Sequence, residues 1–375
     1  MSPWLTELQF KYASNSGAFI HPEPKQLPVI SVNISAYTKT HNMKLLSLLT
    51  FASLVFCLPS EAQIDSIKYG LKGKIIRAMA QSPQTPSTYY AGLKGSKLGT
   101  GHIYQSTDSG TTWTIINNGQ PLSGYVADIQ AIAVASDLSH TIYAGTWKNG
   151  LFKSTDGGQS FQNDSSFPSA DIRSIKTGIQ HPSLVYASTS AFGVVSSTDG
   201  GKSWTRNNPA LIDSTFQFAW SIEINKNDDR VIYAQTFNNG VWKSSDQGTT
   251  WNKTLDTDGK VAWDMHIEDN GLDLWVAAST RGDTLSTIYH SDNAGEDWNE
   301  ITDVPQIGIS EINVQRDKGG APNILIGSWR GGVYMRSENT WNKVEEVDYD
   351  TIAEILKHKG EFVIGSWGNG IYRIK

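Results

Sequence analysis

The sequence predicts an all-β fold, a seven-bladed β-propeller of four-stranded antiparallel blades, with an N-terminal strand that completes the last blade. Three observations lead to this prediction. An octamer of the form Ser-x-Asp-x-Gly-x-x-Trp recurs, strand-like segments precede each copy, and 13 Trp and 34 Gly are spread along the 375 residues. Such a distribution of aromatic residues and glycines is typical of short strands joined by tight turns.

The octamer recurs at nearly constant spacing. Its third residue is Asp in four copies and Asn in a fifth, namely Asp108, Asp156, Asp199, Asp246 and Asn293. The intervals between these positions are 48, 43, 47 and 47 residues, which suits a four-stranded propeller blade. The carboxylate accepts hydrogen bonds from nearby backbone N–H groups, and the following glycine tolerates positive φ. We therefore predict a structural role in turns for these five side chains.

An apolar pair before each turn recurs seven times, and the last copy is Ile371-Tyr372 at the end of the chain. The seventh blade therefore lacks its outermost strand. Residues 64–69 are extended in character and precede the first blade, so we expect them to pair with the C-terminal strand. Such closure would bury two otherwise exposed strand edges.

These octamers resemble the Asp-box motif of the BNR-repeat superfamily, which includes sialidases, xyloglucan-degrading glycoside hydrolases, sortilin-type receptors and the propeller assembly factor of photosystem II. The resemblance covers roughly residues 69–375. It implies a propeller whose octamer turns lie on the face opposite the ligand site, and it leaves the activity open because the motif marks architecture. The segment beginning at Ile76-Arg77 lacks the Ile-Pro of the sialidase motif, which argues against a typical sialidase.

The N-terminal region predicts export. Residues 43–62 contain a basic start at Lys44, an apolar run and small residues before position 63, as in a secretory signal peptide. We expect residues 1–42 to be an upstream extension from a mis-assigned start codon, and residues 63–375 to form the single propeller. The lone cysteine, Cys57, excludes an intramolecular disulfide. The expected location is secreted or periplasmic.

Charge and composition narrow the possible partners. The net charge of −6 provides no basic surface for nucleic acid. After position 62 no segment is apolar enough for a transmembrane helix. The histidines have no paired spacing, so we predict neither a metal site nor a cofactor. We expect a monomer.

Departures from the repeat on the innermost strands give the candidate catalytic residues. One equivalent position on successive blades holds Ala78, Ala131, Ser174, Ser221, Asp264, Glu311 and Glu354. Neighbouring carboxylates with separated pKa values can hydrolyse glycosidic bonds, so Asp264, Glu311 and Glu354 are candidate catalytic residues. The alternative is that arginines neutralise these carboxylates in a hydrated channel.

Aromatic residues recur in the loops between the second and third strands, beside polar residues. Sugar rings stack on such aromatic faces. Together with charges on the innermost strands they give the candidate ligand-binding residues, namely Arg77, Trp147, Arg173, Trp220, Trp263, Trp329, Arg330 and Trp367. The alternative is that the rings wedge neighbouring blades together.

The leading hypothesis from the sequence is an exported propeller that binds a carbohydrate or polysaccharide at its top face, with glycoside cleavage left open. The alternative is a non-catalytic protein-interaction or assembly scaffold of the periplasm or cell envelope. Loop aromatics exposed around an acidic pocket would favour sugar binding. Aromatics buried between blades under a flat face would favour the scaffold.

Overall fold

The computed structural model describes residues 66–95, 101–119, 122, 128–137, 140–207, 218–237, 239–280, 285–347, 350–358 and 360–374. The expected extension at 1–42 and the expected signal peptide at 43–62, with Cys57, lie outside the described residues. The described residues form seven four-stranded antiparallel sheets, the predicted blades. The two short 3-10 turns within them are Asn117–Gly119 and Glu345–Val347.

Each blade runs from its innermost strand outward in chain order. The strands of the first three blades are β2 (Ile76–Gln81), β3 (Tyr89–Leu93), β4 (Ile103–Ser106) and β5 (Thr114–Ile115); β6 (Asp128–Val134), β7 (Ile142–Trp147), β8 (Leu151–Ser154) and β9 (Gln162–Asn163); and β10 (Ile172–Thr177), β11 (Val185–Thr189), β12 (Gly193–Ser197) and β13 (Thr205–Arg206). The repeat predicts innermost strands at about residues 76–80, 129–133, 172–176, 219–224, 262–267, 309–314 and 352–356. The observed innermost strands begin and end within two residues of these positions.

Blades 4 to 7 follow the same order. Their strands are β14 (Ala219–Ile224), β15 (Ile232–Thr236), β16 (Val241–Ser244) and β17 (Asn252–Leu255); β18 (Val261–Ile267), β19 (Leu274–Ser279), β20 (Ser286–Ser291) and β21 (Asn299–Ile301); β22 (Ile309–Arg316), β23 (Pro322–Ser328), β24 (Val333–Ser337) and β25 (Thr340–Val344); and β26 (Ile352–His358), β27 (Glu361–Ser366) and β28 (Gly370–Ile374) with β1 (Ser66–Tyr69). Each innermost strand contacts that of the next blade, and β26 contacts β2, so a closed ring surrounds a central channel.

The N-terminal strand closes the ring, as predicted. β1 pairs antiparallel with β28, from Ser66 opposite Ile374 to Tyr69 opposite Ile371. The seventh blade therefore contains both ends of the described chain, and its outermost strand comes from the N-terminal side. Opening the ring would require breaking this strand pairing.

The octamer turns are closed by hydrogen bonds within each turn. In the third copy, Asp199 accepts hydrogen bonds from the Ser197 hydroxyl at 2.7 Å and from the Ser203 backbone N–H at 2.9 Å. The first, second and fourth aspartates accept equivalent bonds. In the fifth copy Asn293 accepts the same pair of bonds, from Ser291 and Asp297. The bonding capacity of these side chains is therefore used within their own turns.

Neighbouring blades pack through a repeated contact between a glycine and an isoleucine. Gly92 on β3 faces Ile129 on β6, and Gly145 on β7 faces Ile172 on β10 in the same way. A Cβ atom added at Gly92 would lie 2.4 Å from the Ile129 Cγ2 atom. The second strand of one blade and the first strand of the next therefore approach closely because the glycine has no side chain.

We predict that Gly92→Ala lowers the free energy of unfolding by about 1–3 kcal/mol, because the added methyl group must displace the Ile129 side chain. Chemical denaturation of both proteins measures the difference. Gly319→Ala is the matched control, because its nearest obstacle is the Asp317 carboxylate at 3.3 Å. Equal losses of stability in the two variants would contradict the close-packing argument.

Candidate functional site

A β-bulge in every innermost strand shapes the lining of the channel. The pairing of the innermost strand with the second strand skips one residue per blade, namely Arg77, Gln130, Arg173, Trp220, Trp263, Ser310 and Ala353. A bulge bends its strand and redirects side chains at the end of a sheet. The residue after each bulge belongs to the equivalent set that contains Asp264, Glu311 and Glu354. The sequence alignment of the blades at this position is therefore confirmed.

The structure brings the three candidate carboxylates together on adjacent blades 5, 6 and 7. Asp264 accepts a hydrogen bond from the Ile312 backbone N–H of the next blade at 2.9 Å. Glu354 accepts one from the Met79 backbone N–H across the junction of blades 7 and 1. Glu311 shares a hydrogen bond with Asp264. We call Asp264, Glu311 and Glu354 the carboxylate ring.

A second level of channel-facing residues lies two positions further along the same strands, namely Ala80, Ala133, Lys176, Glu223, His266, Asn313 and Leu356. Lys176 and Glu223 form an ion pair with a Nζ–Oε1 distance of 2.5 Å. Neither residue is among the candidates predicted from the sequence. Side chains of a strand alternate between two faces, so a count of two from the carboxylate ring would have found them.

Burial raises the pKa values of the carboxylate ring. Desolvation raises the pKa of Asp264 to about 6, with a further rise from Glu223, while the Ile312 N–H and Lys176 oppose it. Desolvation also raises the pKa of Glu354 to about 8. The pKa of Glu311 is raised well above its usual value by desolvation and by Asp264 and Glu354. The ring therefore holds protons near neutral pH.

Small side chains leave space on the side of the channel opposite the ring. A cavity of about 240 Å³ is lined by residues of blades 1, 2, 3 and 7, among them Ala78, Ala131 and Ser174. Glu354, Lys176 and Gln130 also line it. The channel therefore has one wall of small side chains and one wall of carboxyl groups.

Aromatic rings and arginines surround the channel at the end where the innermost strands begin. We call this set the mouth belt, and it consists of Arg77, Trp147, Arg173, Phe218, Trp220, Phe237, Trp263, Trp329 and Trp367. The indoles of Trp220 and Trp263 meet edge to face at 5.0 Å, and those of Trp263 and Trp329 at 4.9 Å. The Trp329 and Trp367 rings meet at 5.9 Å. Four blades thus share one line of contacting rings.

The arginines complete the mouth belt. The Arg77 guanidinium lies 3.9 Å from the centre of the Trp367 ring, and its Nε atom lies 3.3 Å from Asp128 on blade 2. The Arg173 guanidinium lies 5.1 Å from the Trp147 ring and 5.3 Å from the Trp220 ring. These contacts carry the mouth belt around all seven blades.

Seven of the eight candidate ligand-binding residues lie in the mouth belt. The eighth, Arg330, is exposed in the hairpin between β23 and β24. Phe192, a further loop aromatic, instead packs under the Arg206 guanidinium at 3.8 Å. Asp128, Phe218 and Phe237 were not among the candidates. Asp128 is the first residue of β6 and Phe218 directly precedes β14, at a position where the residue type varies from blade to blade.

The octamer turns lie at the opposite end of the blades. Each turn joins the third and fourth strands of a blade, whereas the mouth belt contains residues from the hairpins between the second and third strands. Consecutive antiparallel hairpins alternate between the two ends of a sheet. Asp108, Asp156, Asp199 and Asp246 are therefore remote from the mouth belt.

Among the described residues no cluster of histidine, cysteine and carboxylate side chains could hold a metal ion. In the same part of the chain, no helix is long and apolar enough to cross a membrane.

We predict that Glu354→Gln changes the pH dependence of stability. Between about pH 4.5 and pH 8 the folded state keeps a proton on Glu354 that the unfolded chain releases. The free energy of unfolding that depends on this group is therefore highest below about pH 4.5 and falls as the pH rises to about 8. Glutamine imitates the protonated carboxyl, so the variant should match wild type near pH 5 and melt at a higher temperature near pH 8. Thermal melts across this range measure the effect.

The control for this experiment is Glu300→Gln, which removes a carboxylate that is 47% exposed on the outermost strand of blade 5. It should keep the wild-type dependence of melting temperature on pH. Parallel melting curves for Glu354→Gln and wild type would show that Glu354 does not retain its proton in the folded state.

No protein-family model and no curated protein matches the chain. Solved structures do. An ancestral GH74 enzyme matches with a TM-score of 0.65 and 19% identity over 83% of this chain and 46% of that one. The GH74 enzyme of Niastella koreensis matches with a TM-score of 0.59 and 18% identity over 79% of this chain and 51% of that one. The chain therefore spans about half the length of these two enzymes.

The structure of YCF48 bound to D1 peptide matches with a TM-score of 0.59 and 16% identity, over 83% of this chain and 96% of that one. At these identities the likeness establishes the fold. Together with the seven four-stranded sheets, it shows that this chain has a seven-bladed β-propeller fold similar to that of these proteins.

Proposed function

We propose that this protein binds a glycan at the mouth of its central channel. The observation that carries the proposal is the mouth belt, a continuous line of indoles and guanidinium groups directly above the carboxylate ring. An indole face receives the C–H surface of a sugar ring, and nearby carboxyl and amide groups bind its hydroxyls. Both kinds of group meet at this mouth.

Buried hydrogen-bond donors at the mouth support the proposal. The indole N–H groups of Trp329 and Trp367 and the Nε of Arg173 are buried and have no hydrogen-bond partner among the described residues. Buried donors are usually paired with an acceptor. A sugar hydroxyl or ring oxygen that entered the mouth, after a small shift of these side chains, would supply one.

The belt also holds the blades together, so its rings divide between two roles. Trp263 is only 8% exposed, and its indole N–H donates to the Ser279 hydroxyl at 2.8 Å. Trp147, Trp220, Trp329 and Trp367 remain partly exposed. We therefore assign Trp263 to packing between blades and the four partly exposed indoles to the ligand.

The carboxylate ring favours binding over cleavage. In glycosidases the two catalytic carboxyl groups flank the scissile bond at roughly 5 to 9.5 Å from one another. Asp264 and Glu311 instead share a hydrogen bond, which leaves no room for a sugar between them. Cleavage is a second candidate only through Glu354, whose raised pKa suits a general acid.

A protein segment is the alternative ligand. The match with YCF48 covers 96% of the YCF48 chain, and that structure is of YCF48 bound to a D1 peptide. A single propeller can therefore act as a peptide-binding protein. An exported protein with either ligand would work in the periplasm, at the cell envelope or outside the cell, in keeping with the predicted signal peptide at residues 43–62.

We predict that Trp329→Ala and Trp367→Ala each weaken glycan binding about three- to tenfold, which is the value of a lost aromatic contact. A glycan array would first identify the ligand, and calorimetric titration would measure its affinity for each variant. Trp329→Phe should recover part of the affinity, because it restores an aromatic face.

Leu272→Ala is the matched control for these titrations, because Leu272 is 51% exposed in the loop between β18 and β19, on the face that carries the octamer turns. It should bind as wild type does. Unchanged affinity in both tryptophan variants would remove the mouth belt as the binding surface.

We further predict that the protein binds polysaccharide without releasing reducing ends, because Asp264 and Glu311 are in contact. Reducing-end assays on a polysaccharide panel measure this directly. Release by the wild type that is abolished in both Glu311→Gln and Glu354→Gln would instead establish the carboxylate ring as a catalytic site.

A further inference from the structure

The carboxylate ring has no cation at its own level. The other four positions of that level are Ala78, Ala131, Ser174 and Ser221. Lys176 lies one level below and is paired with Glu223 at 2.5 Å. At the mouth, Arg77 is paired with Asp128, and Arg173 has Asp171 at 3.9 Å. The nearby basic side chains thus have carboxylates of their own.

An independent feature of the same channel calls for a hydrogen-bond donor. Asn313 is 8% exposed, and its Nδ2 atom donates to the Ile355 carbonyl at 3.0 Å, which fixes the orientation of the amide. Its Oδ1 atom is buried and has no hydrogen-bond partner among the described residues. Alternation along β22 places Asn313 on the same face as Glu311. A buried acceptor of this kind is explained by a donor that arrives with a ligand.

Space is available beside Glu354. The cavity of about 240 Å³ is lined by Glu354, by the small residues Ala78, Ala80 and Ala131, and by the basic residues Lys176 and Arg173. A small group that passed the mouth belt would therefore meet the Glu354 carboxyl group on one side and methyl groups on the other. Such a pocket suits a compact cation attached to a larger ligand.

We propose that the carboxylate ring binds the primary ammonium group of an amino sugar, with the sugar ring held by the mouth belt. This inference rests on the proposed glycan binding and adds the chemical class of the glycan. The ammonium donates to the carboxylates of Glu311 and Glu354 and reaches toward the Asn313 amide oxygen. Without this ligand, protons bound to the carboxyl groups of the ring neutralise their negative charge.

The spacing of the two levels favours an amino sugar over a lysine side chain. Successive residues of a strand advance by about 3.3 Å, and Trp263 directly precedes Asp264. A sugar held by the mouth belt therefore brings an amino group attached directly to its pyranose ring close to the carboxylate ring, and no flexible linker is needed. The four-carbon stem of a lysine would carry its ammonium deeper, toward the positive charge of Lys176.

The proposal predicts that binding releases protons. Burial raises the pKa of Asp264 to about 6 and that of Glu354 to about 8, so an entering cation displaces protons near neutral pH. Among the described residues, the other titratable and charged groups at the channel and its mouth, with those that act on them, are Lys176, Glu223, His266, Lys226, Lys357, Asp269, Arg77, Arg173, Lys94, Asp128 and Asp171. His266 stays neutral because burial lowers its pKa to about 3. Affinity should rise with pH until the ligand amine itself deprotonates.

The test is calorimetric titration of the whole protein with tetrasaccharides of glucosamine, N-acetylglucosamine and glucose, in buffers of different ionisation enthalpy. We expect the glucosamine oligomer to bind at least about tenfold more tightly than the other two, with protons released to the buffer. Glu311→Gln and Asn313→Ala should remove this preference, and the exposed control Glu300→Gln should keep it. Thermal melts of each variant check that it is folded.

Each outcome separates this inference from glycan binding itself. Equal affinity for the three oligomers would overturn the ammonium site and leave the proposed glycan binding intact. Absence of binding to all three, with Glu311-dependent binding of a lysine-rich peptide, would overturn both and assign the ring to a protein ligand. Glucosamine binding without proton release, or unchanged in Glu311→Gln, would place the ammonium elsewhere.

Discussion

The pairing of β1 with β28 is the constraint on which the rest of the structure depends. It fixes blade 7 against blade 1, and three side-chain contacts cross that junction. Arg77 lies over Trp367, the Met79 N–H is bonded to Glu354, and Ile76 packs against Gly365. In an open stack of blades the mouth belt would not be continuous, because it draws residues from both sides of the junction, and Glu354 would lose the hydrogen bond from the Met79 N–H.

The closed ring explains why carboxyl groups gather in the channel. Every innermost strand is the edge of its sheet, so its outward N–H groups have no partner strand. Asp264 and Glu354 each accept such an N–H from the following blade, at Ile312 and Met79. Glu311 makes its bond to Asp264 instead. Asp264 and Glu354 therefore stabilise contacts between neighbouring blades. Glu311 makes no such contact, and a ligand explains its position best.

The fold could be predicted because its signals are local and repeated. The octamer spacing gave the blades, and the short C-terminal copy gave the closure by residues 64–69. The bulges in the innermost strands could not be predicted from the sequence, because a bulge depends on how two strands pair rather than on a residue type. Lys176, Glu223 and Asn313 were not predicted from the sequence. The equivalent positions in other blades hold Ala80, Ala133 and Leu356, so the residues at this second level of the channel show no repeated pattern. Arg330, also predicted from the sequence, lies at a hairpin tip outside the mouth belt.

The octamer carries little information about the channel for a geometric reason. Each octamer turn closes the outer hairpin of a blade, whereas the channel is lined by the first strand, about 14 Å away across four strands at about 4.8 Å spacing. Blades 5 and 6 show the consequence. Asn293 replaces the usual aspartate in blade 5, and the turn of blade 6 is shortened to the segment that ends at Trp341, yet both blades contribute to the carboxylate ring. Substitutions at the inner edge can therefore change the ligand while the outer turns continue to specify the fold.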